Sequence, residues 1–196
     1  MSEGRQPVPP DEGLIRAAMD GDEEAFRGLM ERYKGRAYGV ALGIVGDPDE
    51  AQDVLQDAFV KAWYRIKDFR FGSNFYTWFY RLLVNQAIDR WRKRSRAATV
   101  PLDENWLSEG ASPPDTAVYP KTPEELAGNR ELVEGLTRAI AALPEYHRTV
   151  ILLREVDGLP YEEIAQVLDC SVGTVMSRLH YARAKLREAL REFREG

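Results

Sequence analysis

An indole, two guanidinium groups, an amide and a carboxylate recur at intervals of three and four along one stretch of the chain, as Trp78, Arg81, Asn85, Asp89 and Arg92. At 100° per residue these five make one stripe of a helix, while Phe75, Phe79, Leu82, Leu83 and Gln86 share its core side. Such a stripe suits bases that have left the duplex. An aromatic platform holds an unstacked base at about 1–3 kcal/mol, amides read its edge and cations hold the backbone. A duplex reader has little use for it. The plainer reading, that the eight aromatics of residues 69–91 are mostly core, stays open for Trp78 and Tyr80.

A second constellation lies near the C-terminus, in YEEIAQVLDCSVGTVMSRLHYARAKLREAL. A short helix around Ile164, Ala165 and Leu168 meets a turn of Asp169, Cys170 and Ser171, and a longer helix follows with Ser171 as its N-cap. Val175, Leu179, Ala182, Leu186 and Leu190 form the apolar stripe of that helix. Gly173, Ser177, His180, Tyr181 and Ala184 are left facing outward, where a recognition helix presents groups to base edges in the major groove. Arg178, Arg183, Lys185 and Arg187 flank the stripe and are placed to hold phosphates. An ordinary αα-hairpin with a polar outer face is the alternative. Cys170 reads as a small packing residue in the turn, and His147 and His180 lack partners at metal-ligand spacing.

These elements need helices to position them, and the periodicity throughout is helical. It predicts helices near 12–20, 22–45, 48–66, 74–95, 123–142, 145–156, 160–168 and 172–193. Asp47 before Pro48 and Thr122 before Pro123 each read as an N-cap with proline at the first helical position. Asn74, after Gly72 and Ser73, caps the aromatic helix. The helix from Pro48 buries Ala51, Val54, Leu55, Ala58, Phe59 and Ala62 and turns Asp53, Gln56, Asp57 and Lys61 outward. That outward face is either simply solvated or a docking surface for a partner helix.

Net charge is −5 over 196 residues, which at first sight argues against a protein that grips DNA unaided. The charge is unevenly spread. Lys and Arg stand against Asp and Glu at 16 to 15 in residues 1–96, 1 to 6 in 97–128 and 10 to 11 in the remainder. The acidic middle also holds five prolines and no apolar period, which is linker chemistry. The chain therefore divides into a module at 1–96, a flexible acidic linker at 97–122 and a module at 123–196. Its length rules out barrels and large enzymes. The single Cys170, the absence of an 18-residue apolar run and a start without a secretory core imply a cytoplasmic protein.

Taken together the runs GDEEAF at 21–26, DEAQDVLQDAFVKAW at 49–63, FGSNFYTWFYRLLVN at 71–85, LPEYHRTVILLREVDGLPYEEIA at 143–165 and DCSVGTVMSRLHYARAKLRE at 169–188 resemble the extracytoplasmic-function sigma factors of bacterial RNA polymerase. The last run alone is shared by many helix-turn-helix regulators; its place after YTWFYRLLVN makes the likeness specific. The resemblance implies an all-α protein of two small domains, sigma region 2 and sigma region 4. It implies that Asp53, Gln56, Asp57 and Lys61 dock on the β′ clamp coiled coil of core polymerase. Ser73, Asn74, Phe75, Trp78, Tyr80, Arg81, Asn85, Asp89 and Arg92 would then melt and capture the minus-ten element. Gly173, Thr174, Met176, Ser177, Arg178, His180, Tyr181 and Arg183 would read the minus-thirty-five element. Met176 and Tyr181 stand where several relatives carry Arg or Lys, so cationic contacts are absent there. The same likeness brings the second domain to the β flap, sends the linker toward the polymerase active cleft and adds an anti-sigma partner.

The expected function is a non-enzymatic specificity subunit with no cofactor and no metal. A free-standing regulator binding duplex operator as a dimer is the alternative. A hydrolytic or metal enzyme finds no Ser-His-Asp set, no Cys/His pairing and no phosphate-cradling GxxxxGK[ST] loop in the sequence.

Overall fold

Aspartate side chains start two of the long helices. Asp22 accepts from the backbone N–H groups of Glu24 and Ala25 at 2.9 and 3.1 Å, and Asp47 from those of Asp49 and Glu50 at 3.0 and 2.9 Å. Pro48 follows Asp47 at the first helical position, where its missing N–H costs nothing. Gly46 ends the helix before it at φ 75°, a left-handed conformation that glycine adopts without strain.

The computed structural model describes residues 11–71, 74–97 and 130–191, and their regular structure is entirely helical. In the first half run α1 (Glu12–Met19), α2 (Glu23–Val45), α3 (Pro48–Arg65), a 3₁₀ turn at Ile66–Asp68 and α4 (Phe75–Ala97). In the second run α5 (Arg130–Ala141), α6 (Glu145–Ile151), a π-helical turn at Leu152–Val156, α7 (Tyr161–Leu168) and α8 (Val172–Ala189). The spans agree with the periodicity to within a few residues, except that the first seven residues of the helix expected at 123–142 lie outside the described part. Residues 98–129 lie outside the described part, and with them nearly all of the expected linker and the Thr122–Pro123 cap.

In the first half α2, α3 and α4 pack on one another, with α1 laid against α2. Leu29, Val40, Ile44, Val54, Phe59, Phe79, Leu83 and Val84 fill the centre, all at 7% exposure or less. The expected α3 stripe is buried except for Leu55, which is only partly covered. In the second half α7, a turn and α8 form the helix-turn-helix. Asp169 closes α7 at φ 52°, a left-handed position that aspartate tolerates, and Ser171 caps α8 by accepting from Thr174 N–H at 3.0 Å. Val175, Leu179 and Ala182 are buried as the stripe requires, while Leu186 and Leu190 are partly covered. Ser171→Ala is expected to cost about 1 kcal/mol of stability, measured as a shift in urea midpoint without change in slope.

Sequence patterning carries no sign of one further feature: the halves are in contact. α6 and the π turn lie against α2, and α7 lies against α4, so that one apolar cluster runs through both. A Cβ added at Gly43 of α2 would stand 2.6 Å from Leu152 Cδ1, so the leucine of the π turn fills the space that glycine leaves. Arg148 of α6, 4% exposed, donates to Ile44 O at 2.8 Å in the first half, and to Leu143 O at 3.0 Å and Ala141 O in the second. Its guanidinium lies 5.2 Å from the centre of the Trp91 ring of α4.

Candidate nucleic-acid interface

The polar and aromatic edge of α4 begins at its cap. Asn74 is exposed and accepts from Tyr76 N–H at 3.1 Å, which fixes where the helix starts; Ser73 lies outside the described residues. One turn on, Trp78 is half-buried, its ring edge-on to Phe69 at 5.7 Å and tilted against Phe75 at 5.4 Å. The indole is therefore braced from beneath by aromatics. Asn85 and Asp89 follow on the same edge, both exposed. Trp78 is only partly covered, and Asn85 and Asp89 stand open to solvent in line with it.

Two residues expected there point elsewhere. Tyr80 is 0% exposed, stacked on Tyr76 at 4.0 Å, and burial pushes its phenol well above the ordinary tyrosine range. Phe75 is 5% exposed, among Tyr33, Phe69 and Trp78. The correction is geometric: position 80 lies 200° round the helix from position 78, on the side that faces the core. Phe75 braces the indole from within, and Tyr80 packs in the core on Tyr76 and Phe79.

The cations of this edge are engaged by the other half of the molecule. Arg81 Nη2 meets Asp169 Oδ2 at 3.0 Å. Arg92 Nε donates to both carboxylate oxygens of Glu145 at 2.9 Å, and its Nη2 to the Tyr146 hydroxyl at 2.9 Å. The Glu145 hydrogen bond raises the proton affinity of Arg92 further. The end of α4 is tied back as well, Arg90 to Asp53 at 2.6 Å and Arg94 to Glu50 at 2.8 Å. Arg90, Arg92 and Arg94 at the end of the helix are thus all paired.

On α8, Gly173, Met176 and Ser177 are exposed, Met176 at 52%. Thr174 is partly covered beside the Ser171 hydroxyl at 2.9 Å. His180 and Tyr181 are half-exposed, and Tyr181 lies against the His147 ring at 4.4 Å. Burial, and then the charge of Arg178, hold the His147 imidazole below its ordinary value, so it stays neutral. Arg178 places its guanidinium over the Tyr146 ring at 4.5 Å, and Arg183 pairs with Glu155 at 2.6 Å. Among the described residues no cluster of His, Cys, Asp and Glu is arranged to hold a metal, and no helix is long and apolar enough to cross a membrane.

On α3, Asp53, Gln56, Asp57 and Lys61 are all exposed on one face. Two neighbours on that face escaped the sequence reading: Val60 is 50% and Tyr64 79% exposed. Their signal was present, since 53, 57, 60 and 64 repeat at intervals of four, three and four.

The geometry defines a protein of two helical modules, one with a partly exposed aromatic edge along α4 and one with a helix-turn-helix. Residues 29–97 match the family described as Sigma-70 region 2, and residues 134–186 that described as Sigma-70, region 4. The chain is 38% identical over 183 residues to RNA polymerase sigma-H factor of Pseudomonas aeruginosa, covering 92% of this chain and 93% of that one. It is 39% identical over 178 residues to ECF RNA polymerase sigma-E factor of Escherichia coli K12, covering 88% and 90%. Among solved structures, that of CnrH in complex with the cytosolic domain of CnrY is similar at TM-score 0.67 and 27% identity, over 93% of this chain and 97% of that one. The sigma factor RpoE in complex with the anti-sigma factor NepR from Bartonella quintana is similar at 0.63 and 26%, over 85% and 96%. The chain belongs to the extracytoplasmic-function family of RNA polymerase sigma factors, and its function is that of a sigma factor rather than of a stand-alone regulator.

Proposed function

We propose that this protein is a non-enzymatic subunit that seats on core polymerase through α3, reads the minus-thirty-five element with α8 and captures a flipped minus-ten base on the edge of α4. The observation that carries the reading is the exposure of Asn85 and Asp89 in line with a half-exposed, aromatically braced Trp78. An unpaired base stacks on the indole; the amide and carboxylate of Asn85 and Asp89 meet its edge; Arg81 and Arg92 hold the flanking phosphates. Opening a few base steps costs about 1.4 kcal/mol per step, which two or three stacked bases offset.

The α3 face supports the docking assignment. Val60 and Tyr64 give it an apolar centre, and Asp53, Gln56, Asp57 and Lys61 surround that centre with polar groups, the anatomy of a protein interface. On α8 the work divides. Met176, Ser177, His180 and Tyr181 are placed toward base edges, Gly173 and Thr174 approach the backbone at the helix start, and Arg178 and Arg183 reach phosphates. The similar sigma factor solved with an anti-sigma factor supports such a factor as a partner here, and the working place is the cytoplasm, where polymerase acts.

The test is open-complex formation with purified core polymerase. Trp78→Ala is expected to reduce it roughly tenfold to a hundredfold, the value of one stacked base. Asn85→Ala should reduce it as well without moving the thermal midpoint, because that side chain is exposed. Unchanged opening in both variants would reject the assigned edge.

A further inference from the structure

The outer face of α8 is short of groups that read bases by hydrogen bonds. Gly173, Met176, Ser177, His180 and Ala184 lie on it at intervals of three and four, away from the buried stripe. The paired contacts of the major groove come from arginine or lysine on guanine and from asparagine or glutamine on adenine, and none of these residue types is among the five. A single imidazole nitrogen of His180 cannot make such a pair.

The hydroxyls nearby are used inside the helix. Ser177 Oγ donates its one proton to Thr174 O at 3.0 Å. The Ser171 and Thr174 hydroxyls meet each other at 2.9 Å, and Ser171 Oγ also accepts from Thr174 N–H at 3.0 Å. The nearest cations lie to the sides, Arg178 over the Tyr146 ring and Arg183 on Glu155.

What stands forward in the first two turns is therefore apolar. Met176 is 52% exposed. Gly173, one turn before it, has open space where a side chain would stand, save for Ser171 Oγ at 3.7 Å. The bare backbone there lets the helix start come close to a groove floor, and the long, unbranched thioether of Met176 is adaptable enough to reach it. One exposed methionine is ordinary on a surface. On a face emptied of donors it has a specific counterpart, because the major groove shows an apolar group at one base alone, the C5-methyl of thymine.

We propose that Met176 is a specificity residue for thymine: its methyl end packs on the C5-methyl of a thymine in the upstream promoter element, and this contact, rather than a hydrogen-bonded pair, selects the base at that turn. This rests on the assignment of α8 as the reader of the minus-thirty-five element. One buried methyl is worth about fourfold in affinity. Because the contact carries no charge, the preference persists as salt rises, while the phosphate contacts that set overall affinity weaken.

The test uses holoenzyme assembled from the full chain and purified core polymerase, on a promoter selected from a random library. Each thymine of the upstream element, on either strand, is replaced in turn by deoxyuridine, which removes the methyl and keeps every hydrogen-bonding group. Affinity is measured by competition at about 50 and about 200 mM salt. At one thymine the replacement is expected to weaken wild type about fourfold at both salt concentrations. Met176→Ala is expected to bind the thymine promoter about fourfold more weakly than wild type, with no further loss on the deoxyuridine promoter. Met176→Leu, which keeps an apolar end, should still distinguish the two.

An upstream element without thymine, or deoxyuridine without effect at every position, overturns the proposal. So does a deoxyuridine loss as large in Met176→Ala as in wild type, since another group then reads the methyl. Should Met176→Ala lose helical circular dichroism, Met176→Gln, of similar length, takes its place in the same comparison. Failure of the reader assignment shows separately, as binding that is unchanged when the whole upstream element is scrambled. A holoenzyme that needs the element and ignores the methyl keeps the assignment and loses the proposal.

Discussion

Replacing Phe79 by alanine is expected to lower stability by about 4 kcal/mol, read as a loss in urea midpoint with unchanged slope, and to abolish initiation at working temperature. The ring is 0% exposed and stacked on Phe59 at 4.8 Å with 15° between planes, with Tyr80 edge-on at 6.0 Å. Its removal leaves a hole where α3 meets α4, surrounded by rings too rigid to collapse into it. Single domains hold only about 5–15 kcal/mol in reserve, so most of that margin goes. The comparison with Asn85→Ala is the informative one. Both side chains stand on α4, yet one change should act through folding and the other through DNA alone.

Arg148→Met should cost about 3 kcal/mol by the same measurement. Methionine replaces the volume and removes the donors, leaving the carbonyls of Ile44, Leu143 and Ala141 without the partner that now satisfies them. The Trp91 ring loses its cation as well. Arg148→Lys should recover only a small part, since an ammonium on a flexible stem cannot meet carbonyls on two sides as a planar fork does. A loss below about 0.5 kcal/mol for the methionine variant would show that water replaces the guanidinium at low cost.

Much of this architecture was legible in the residues because its causes are local. Asp47 with Pro48, Asn74 and Ser171 each start a helix through a side chain that reaches its own backbone two or three residues on. The apolar period placed α3 and α8 correctly face by face, and the aromatic stripe located the α4 edge. Tyr80 was ambiguous for a physical reason: a tyrosine packs in a core or offers a ring to a base with equal chemical aptitude, and only its neighbours decide. The pairing of the halves left no local trace. Arg81 and Asp169 are 88 residues apart, and nothing about a glycine inside α2 announces that a leucine of the other half will rest on it.

The seat of Leu152 on Gly43 bears on hybrid proteins. Exchanging the helix-turn-helix half for that of a relative would transplant its sequence preference, but the foreign partner would carry its own side chain at the point where the glycine waits. A bulkier or differently angled residue there should give a chimera whose halves no longer pack as these do. Matching positions 43 and 152 as a pair, rather than the recognition helix alone, is therefore the design rule for exchanging the second half while keeping its fit on the first.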